Sequence, residues 1–99
     1  MSAYIISDVT IRDPAAIEIY RERAAPSIVL HGGSYVVRGG KIEVLEGEGR
    51  PRAIIVAEFP DMERARAWYR SAEYAAALNV RDQALTRNLI LVEGVASEA

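Results

Sequence analysis

The alternation of apolar and polar positions predicts a strand followed by a helix at the start of the chain. Residues 3–10 (AYIISDVT) are rich in β-branched and aromatic side chains, as in a strand. Asp13-Pro14 then provides an N-cap and a first helical residue, and Gly32-Gly33 provides a stop. One face of this helix carries apolar residues at helical spacing, and a histidine continues that spacing. These residues are Ile17, Tyr20, Ala24, Ile28 and His31. We expect this face, including His31, to point toward a sheet.

The pattern permits two interpretations at each of two places in the chain. Pro26 predicts either a kink in the first helix or a fresh helix start. Gly39-Gly40 separates two extended stretches, 34–38 and 41–46, and it predicts either a tight hairpin or a bend in one long strand. We favour the bent strand, with the chain reversal at residues 47–51.

The second half of the chain predicts a central strand, two helical segments and a last strand. Residues 52–59 are apolar on both alternating faces, which indicates a strand covered on both sides. Pro60-Asp61 begins a helix, Ser71 caps a third helix, 89–93 forms the last strand, and 95–99 forms a loose tail. The helical stripes are Ala65, Trp68, Tyr69 and Ala72 in the second helix, and Tyr74, Leu78, Arg81 and Leu85 in the third.

This order of elements predicts one domain over residues 1–99 with an α+β fold. The order is strand, helix, strand, strand, helix pair, strand, which is typical of a ferredoxin-like βαββαβ fold with an antiparallel four-stranded sheet and helices on one face. The other face would expose either Ile54 and Val56 or the set of Ile55, Ala57 and Phe59. Because an uncovered apolar face needs a partner, we expect a homodimer that joins two sheets face to face.

Composition and charge exclude several classes of function. The chain has 51% hydrophobic residues and a net charge of −2, so there is no electrostatic reason to bind nucleic acid or an anionic membrane. The longest apolar run, Ala53–Ala57, is far shorter than the ~20 residues of a membrane span. Met1–Tyr4 has no signal-peptide character, so a cytoplasmic location is expected. With no cysteine and one histidine, we expect no metal and no cofactor, and haem or metal binding through His31 is the least favoured reading.

His31 and Arg81 are the two leading candidates for chemistry. His31 is the only side chain that ordinarily titrates near neutral pH, so it is a candidate general acid or base; the alternative is a helix-end histidine bonded to a backbone carbonyl. Arg81 interrupts an apolar stripe. It could pair with Glu58 or Glu93, bind a substrate carboxylate, or reach solvent.

The aromatic residues form a further candidate group. They could line a pocket whose hydroxyls orient a small ligand, or they could simply fill the core. They are Tyr4, Tyr20, Tyr35, Tyr69, Tyr74 and Trp68. Arg38 and Arg70 are weaker candidates, with solvent exposure as the alternative. Neither glycine pair has the spacing of a phosphate-binding or dinucleotide-binding loop.

A combination of short motifs resembles the domain-of-unknown-function 1330 family. The motifs, spread from Tyr4 to Gly94, are the string HGGSYVVRGG at 31–40, LEG at 45–47, EFP at 58–60, WYRS at 68–71, EY at 73–74, Arg81 and VEG at 92–94. Ala72 departs from the proline expected before Glu73. The resemblance implies a dimeric α/β-barrel, a superfamily that includes cofactor-independent monooxygenases, a lactone isomerase, haem-degrading enzymes and proteins without known catalysis. The matching signature positions are His31, Tyr35, Arg38, Glu46, Glu58, Ser71, Tyr74 and Arg81.

Together these observations predict a homodimer that binds a small anionic or phenolic molecule between sheet and helices. In a catalytic version, His31 acts as general acid or base while Arg81 holds a carboxylate. The other predicted substrate-binding residues are Tyr35, Arg38, Glu58, Ser71 and Tyr74. The alternative is a non-catalytic dimeric module for assembly or regulation. An open cavity on which His31 and Arg81 converge would favour the first function.

Overall fold

The computed structural model describes residues 1–49 and 52–95. Its elements are β1 (Ala3–Ile11), α1 (Pro14–Leu30), β2 (Ser34–Arg38), β3 (Ala53–Phe59), α2 (Met62–Tyr69), α3 (Ala72–Ala84) and β4 (Leu85–Glu93). The four strands form one antiparallel sheet in the order β2-β3-β1-β4. This topology confirms the predicted α+β, ferredoxin-like arrangement, with α2 and α3 together in the place of the second helix. In the described residues, no helix is long and apolar enough to cross a membrane.

Each helix begins at a side chain that caps it, as the sequence predicts. The Asp13 carboxylate accepts a hydrogen bond from the Ala15 amide (2.9 Å), and the Asp61 carboxylate accepts one from the Arg64 amide (2.7 Å). The Ser71 hydroxyl accepts from the amide of Tyr74 (3.1 Å). Because the first amides of a helix have no partner within it, these caps fix where the three helices start.

The irregular connections differ from the prediction. α1 runs through Pro26 without a fresh start, and β2 ends at Arg38, so 41–46 do not extend it as a bent strand. The chain leaves the sheet at Gly39, whose φ of +70° suits glycine and whose amide donates to the Ile54 carbonyl (3.0 Å). The two stretches flanking the glycines do not pair as a tight hairpin, because β2 pairs with β3. Residues 50 and 51 of the predicted reversal lie outside the described residues.

The last strand begins four residues earlier than predicted. β4 starts at Leu85, directly after α3, and Leu85 lies opposite Ile11 on β1. The Ala84 carbonyl accepts from the amides of Arg12 (2.8 Å) and Asp13 (3.2 Å), which ties the end of α3 to the start of α1. The predicted helical stripe that ends at Leu85 therefore crosses an element boundary. Residues 96–99 of the predicted tail lie outside the described residues.

An aromatic cluster forms the core between the sheet and the helices. The rings of Phe59 and Trp68 have centroids 5.6 Å apart, and those of Trp68 and Tyr74 are 4.1 Å apart. The buried Trp68 indole donates to the Ser27 hydroxyl (2.9 Å), which donates to the Ala24 carbonyl (2.6 Å). α1 is thereby joined to α2 through a satisfied polar contact inside the core.

The opposite face of the sheet carries an apolar patch that the described residues leave uncovered. On this face Ile6 lies between Val56 of β3 and Ile90 of β4, and Ile54 shares the face with them. Ile90 is 55% exposed. Of the two sets that the sequence left open, Ile54 and Val56 therefore point away from the helices.

Substitution of Ser27 by alanine should destabilise the fold. The buried Trp68 indole would lose its acceptor, which costs about 1–3 kcal/mol of the free energy of unfolding. Urea denaturation followed by the fluorescence of Trp68, the only tryptophan, measures this directly. Ser34→Ala, at an exposed position, is the matched control, and equal stability of the two variants would contradict the role of the contact.

Candidate functional site

A cavity of about 290 Å³ lies between α1 and the sheet. All four strands contribute to its floor, α1 forms its roof, and Trp68 of α2 borders it. Most of its wall is apolar and includes Ile5, Val9, Ala24, Ile28, Ile55 and Ala57. The size is at the small end of ligand-binding cavities, so only a small organic molecule would fit.

The charged residues at this cavity are all arginines. Arg21 comes from α1, Arg38 from β2 and Arg87 from β4, and no Asp, Glu or His contributes to the described lining. Arg21 pairs with Glu18 at the exposed surface (3.1 Å). The Arg38 guanidinium lies over the Tyr35 ring, 4.5 Å from its centroid. The cavity is therefore electropositive, although the chain as a whole is acidic.

Arg87 is held by two tyrosine hydroxyls. Its guanidinium donates to the hydroxyl of Tyr20 (2.6 Å) and to that of Tyr74, and the two hydroxyls are 2.6 Å apart. Within the described residues, no carboxylate forms an ion pair with Arg87. Burial raises the pKa of Tyr20, and the Arg87 charge only partly opposes this, so the hydroxyl stays protonated at neutral pH.

The tyrosine pair leaves one proton available for a ligand. Each hydroxyl carries one proton and accepts from Arg87, and one of the two donates to the other. The remaining proton has no acceptor among the described residues. Because the wall of the cavity includes Tyr20, that proton can point into the cavity when Tyr74 is the donor within the pair.

Ser7 places a second polar group on the cavity floor. It is only 4% exposed, and its hydroxyl is the one buried side-chain polar atom without a hydrogen-bond partner in the described part of the chain. A buried hydroxyl left unpaired costs about 1–3 kcal/mol, so such groups are normally satisfied by water or by a ligand. Ser7 and the tyrosine proton are thus two unused hydrogen-bonding groups in the same region.

Tyr35 shows that the arginine charges reach this region together. Burial raises the pKa of the Tyr35 hydroxyl, and the positive charges of Arg38, Arg87 and Arg21 act in the opposite direction. The three guanidinium groups come from three different elements, yet all act on one hydroxyl. An anion bound near Tyr35 would therefore be attracted by all three.

The predicted site residues divide into two groups. Tyr35 and Arg38 line the cavity, and Tyr74 contacts Arg87 and Tyr20 beside it. Glu58 instead accepts a hydrogen bond from the Tyr4 hydroxyl (3.1 Å), and Ser71 caps α3. Neither of these two has a position in the cavity lining.

His31 and Arg81 do not converge on one point. His31 follows the end of α1, outside the inward-facing stripe, and its Nε2 is 3.0 Å from the Glu73 carboxylate rather than bonded to a backbone carbonyl. Arg81 pairs with Asp82 (3.3 Å) beside a separate cleft. Glu73 and Arg81 are eight positions apart on α3, which is about 12 Å along the helix axis. The expected convergence, and the pairing of Arg81 with Glu58 or Glu93, are therefore corrected.

Sequence reasoning missed Arg87 and Ser7. The sequence predicts the last strand only from residue 89, so Arg87 falls before any predicted strand. Ser7 carried a usable signal, because strand alternation places it on the same face as Ile5 and Val9, where a hydroxyl is unusual. In the described residues, no group of three or more potential metal ligands lies together.

Comparison with known protein families identifies the chain. Residues 2–95 match the profile of the family described as Domain of unknown function (DUF1330). The chain belongs to this family. No curated protein matches the sequence.

Solved structures similar to this DUF1330 protein share its fold. A protein of unknown function from Rhodopseudomonas palustris superposes with a TM-score of 0.77 at 20% identity, over 97% of this chain and 84% of its own. SnoaB, a cofactor-independent oxygenase from Streptomyces nogalater, gives a TM-score of 0.67 at 14% identity, over 97% and 95%. A dimeric protein of unknown function with a ferredoxin-like fold from Bacteroides fragilis gives 0.55 at 11% identity, over 94% and 96%. At these identities the similarity establishes the fold alone.

The raised pKa of Tyr20 predicts loss of stability in alkali. Above the ordinary tyrosine pKa of about 10, the unfolded chain loses a proton that the folded protein keeps, so the free energy of unfolding falls as pH rises. Urea denaturation at a series of pH values from about 8 to 11 measures the slope. Tyr20→Phe should reduce this slope, whereas Tyr69→Phe, at an exposed position, should not. An unchanged slope in Tyr20→Phe would show that its hydroxyl is not buried as described.

Proposed function

We propose that this protein is a homodimer that binds a small anionic or phenolic organic molecule in the cavity between α1 and the sheet. The observation that carries the proposal is Arg87, a partly buried and permanently charged guanidinium with only neutral hydroxyl partners, at the wall of an apolar cavity. A cation removed from water is costly without a counter-charge. A bound anion would supply that counter-charge and would also use the free tyrosine proton.

The donors favour a ligand whose acidic oxygen faces Arg87 and Tyr20. Charge-assisted hydrogen bonds to a carboxylate or phenolate are stronger than those to a neutral acceptor. The rest of the ligand would contact apolar side chains such as Ile28 and Ile55, and the Ser7 hydroxyl can donate to or accept from a second polar atom. The preferred ligand therefore combines a compact apolar body with an acidic oxygen.

Acid–base chemistry in this cavity would depend on tyrosine. His31 is bonded to Glu73 outside the cavity, and the described lining holds no carboxylate. Tyr20 and Tyr74 could donate a proton to a ligand oxygen and take it back, with Arg87 stabilising the intervening negative charge. This replaces the His31 role expected from the sequence.

The second candidate function is a non-catalytic dimeric module for assembly or regulation. The uncovered apolar face around Ile6, Val56 and Ile90 supports it, because association alone would bury that face. A second copy of the chain is the partner that we propose for this face in either function. The dimeric description of the Bacteroides fragilis neighbour supports this choice.

Small acids and phenols should stabilise the protein against heat. A ligand at about 100 times its dissociation constant adds about 2.7 kcal/mol, a shift in Tm of several degrees for a domain of this size. Benzoate, phenol and 4-nitrophenol are suitable probes in a thermal-shift assay. Arg87→Gln should abolish the shift, and Arg64→Gln, on the exposed face of α2, should retain it.

Arg38→Gln provides a second test if Arg87→Gln does not fold, because Arg38 is exposed and also lines the cavity. The rise in Tm that a ligand causes in Arg38→Gln should be smaller than the rise in the unsubstituted protein. Absence of a shift with every probe would reject ligand binding and leave the assembly module. An equal shift in all variants would reject the cavity as the binding site.

A charge on the open sheet face should separate the dimer. Val56→Lys or Ile90→Lys would place an ammonium group in the proposed interface, where burial without a partner is unfavourable. Size-exclusion chromatography with light scattering should show a dimer for the unsubstituted protein and a monomer for these variants. Val29→Lys, at a 70% exposed position of α1, should remain dimeric. A monomer of the unsubstituted protein at micromolar concentration would contradict the proposed interface.

A further inference from the structure

The register of the sheet places Arg38 and Ser7 in one row across the cavity floor. Arg38 of β2 lies opposite Ile55 of β3, Ile55 lies opposite Ser7 of β1, and Ser7 lies opposite Leu89 of β4. Residues directly opposite each other in a sheet point to the same face. Arg38 is therefore two strand spacings from Ser7, about 10 Å at the backbone.

Arg87 occupies the other edge of the same floor. It lies opposite Val9, two positions along β1 from Ser7, so Arg87 and Ser7 are diagonal neighbours on adjacent strands. The order β2-β3-β1-β4 separates the strands of Arg38 and Arg87 by three spacings, about 14 Å. The two arginines thus enter the cavity from opposite edges of the sheet.

The space between these two arginines is lined mainly by apolar side chains. Its floor carries Ile5, Ile55 and Ala57, and Ile28 lies in its roof. The one polar floor residue between the two edges is Ser7, within the described lining. A ligand in this space would have a short apolar middle with a polar atom available to Ser7.

Neither arginine has an acidic partner among the described residues, and each contacts different aromatic side chains. Arg38 stacks on the Tyr35 ring, whereas Arg87 donates to the hydroxyls of Tyr20 and Tyr74. No ion pair forms at either guanidinium among the described residues. A single carboxylate bound at Arg87 would neutralise that charge, and Arg38, which is exposed but lines the cavity, could then bind a second acidic group.

We infer that the ligand carries an acidic group at each end of a short apolar body, with Arg38 binding one end and Arg87 the other. This inference rests on the proposed function and narrows its ligand class to dicarboxylates and hydroxyaryl carboxylates. Tyr35 lies on the same edge strand as Arg38 and lines the cavity there.

A series of linear dicarboxylates from malonate to azelate measures the distance between the anion-binding positions at Arg38 and Arg87. Affinities are measured by isothermal titration calorimetry at constant ionic strength, since salt screens exposed ion pairs. Each dicarboxylate is compared with the monocarboxylate of equal chain length. We expect one optimal length, at which the dicarboxylate binds about tenfold more tightly or better than its monocarboxylate.

Single substitutions then identify the two ends. Arg38→Gln should lower the affinity of the optimal dicarboxylate to that of its monocarboxylate, Arg87→Gln should lower it further, and Arg64→Gln should leave it unchanged. Rigid aromatic acids provide a second comparison. Because 4-hydroxybenzoate has a polar group at each end of its ring, it should bind more tightly than benzoate. If Arg87→Gln does not fold, the Arg38→Gln result still tests the second end.

The outcomes separate this inference from the proposed function. Equal binding of mono- and dicarboxylates at every length would overturn the two-ended ligand and leave a single anion site at Arg87. A length optimum that survives in Arg38→Gln would overturn the assignment of that end. No binding of either series, together with no binding of phenols, would overturn the proposed function as well.

Discussion

The contact of Arg87 with two tyrosine hydroxyls connects one strand with two helices through buried polar groups. Arg87 belongs to β4, Tyr20 to α1 and Tyr74 to α3. The three polar groups satisfy one another only in part, because the cation has no counter-charge in the described residues and one hydroxyl proton has no acceptor. The same contact therefore joins α1 and α3 to the sheet and places a positive charge beside the cavity.

The two faces of the sheet have different chemistry for a related reason. β1 alternates between buried positions such as Ile5 and Ser7 and the opposite positions such as Ile6, so one strand serves both the cavity and the uncovered face. A small domain cannot bury both faces of a sheet with three helices packed on one side. The cavity and the uncovered patch are consequently separate surfaces of this fold, and a change at Ile6 need not alter the cavity.

The fold was largely predictable because its signals are local. The caps at Asp13, Asp61 and Ser71 and the alternation within β1 specify where elements begin and which face is buried. The irregular segment after Gly39 was not predictable in the same way, since an alternating pattern of apolar residues does not reveal whether a neighbouring strand is present. The pattern also did not predict the early start of β4, because Leu85 fits the helical spacing and the strand equally well.

The site was less predictable because its residues come from separate elements and meet only in the fold. His31 continues the spacing of α1, but α1 ends one residue before it, so the periodicity no longer determines its direction. Arg81 is a charge within an apolar stripe and so is the arginine that the sequence favours. Arg87, six positions later, is the arginine that the fold brings to Tyr20 and Tyr74. Sequence spacing can identify an arginine that needs a partner, but the partner is chosen by strand register and helix packing. In this protein the register sets Arg38 and Arg87 on opposite edges of one floor, and the proposed two-ended ligand follows from that arrangement.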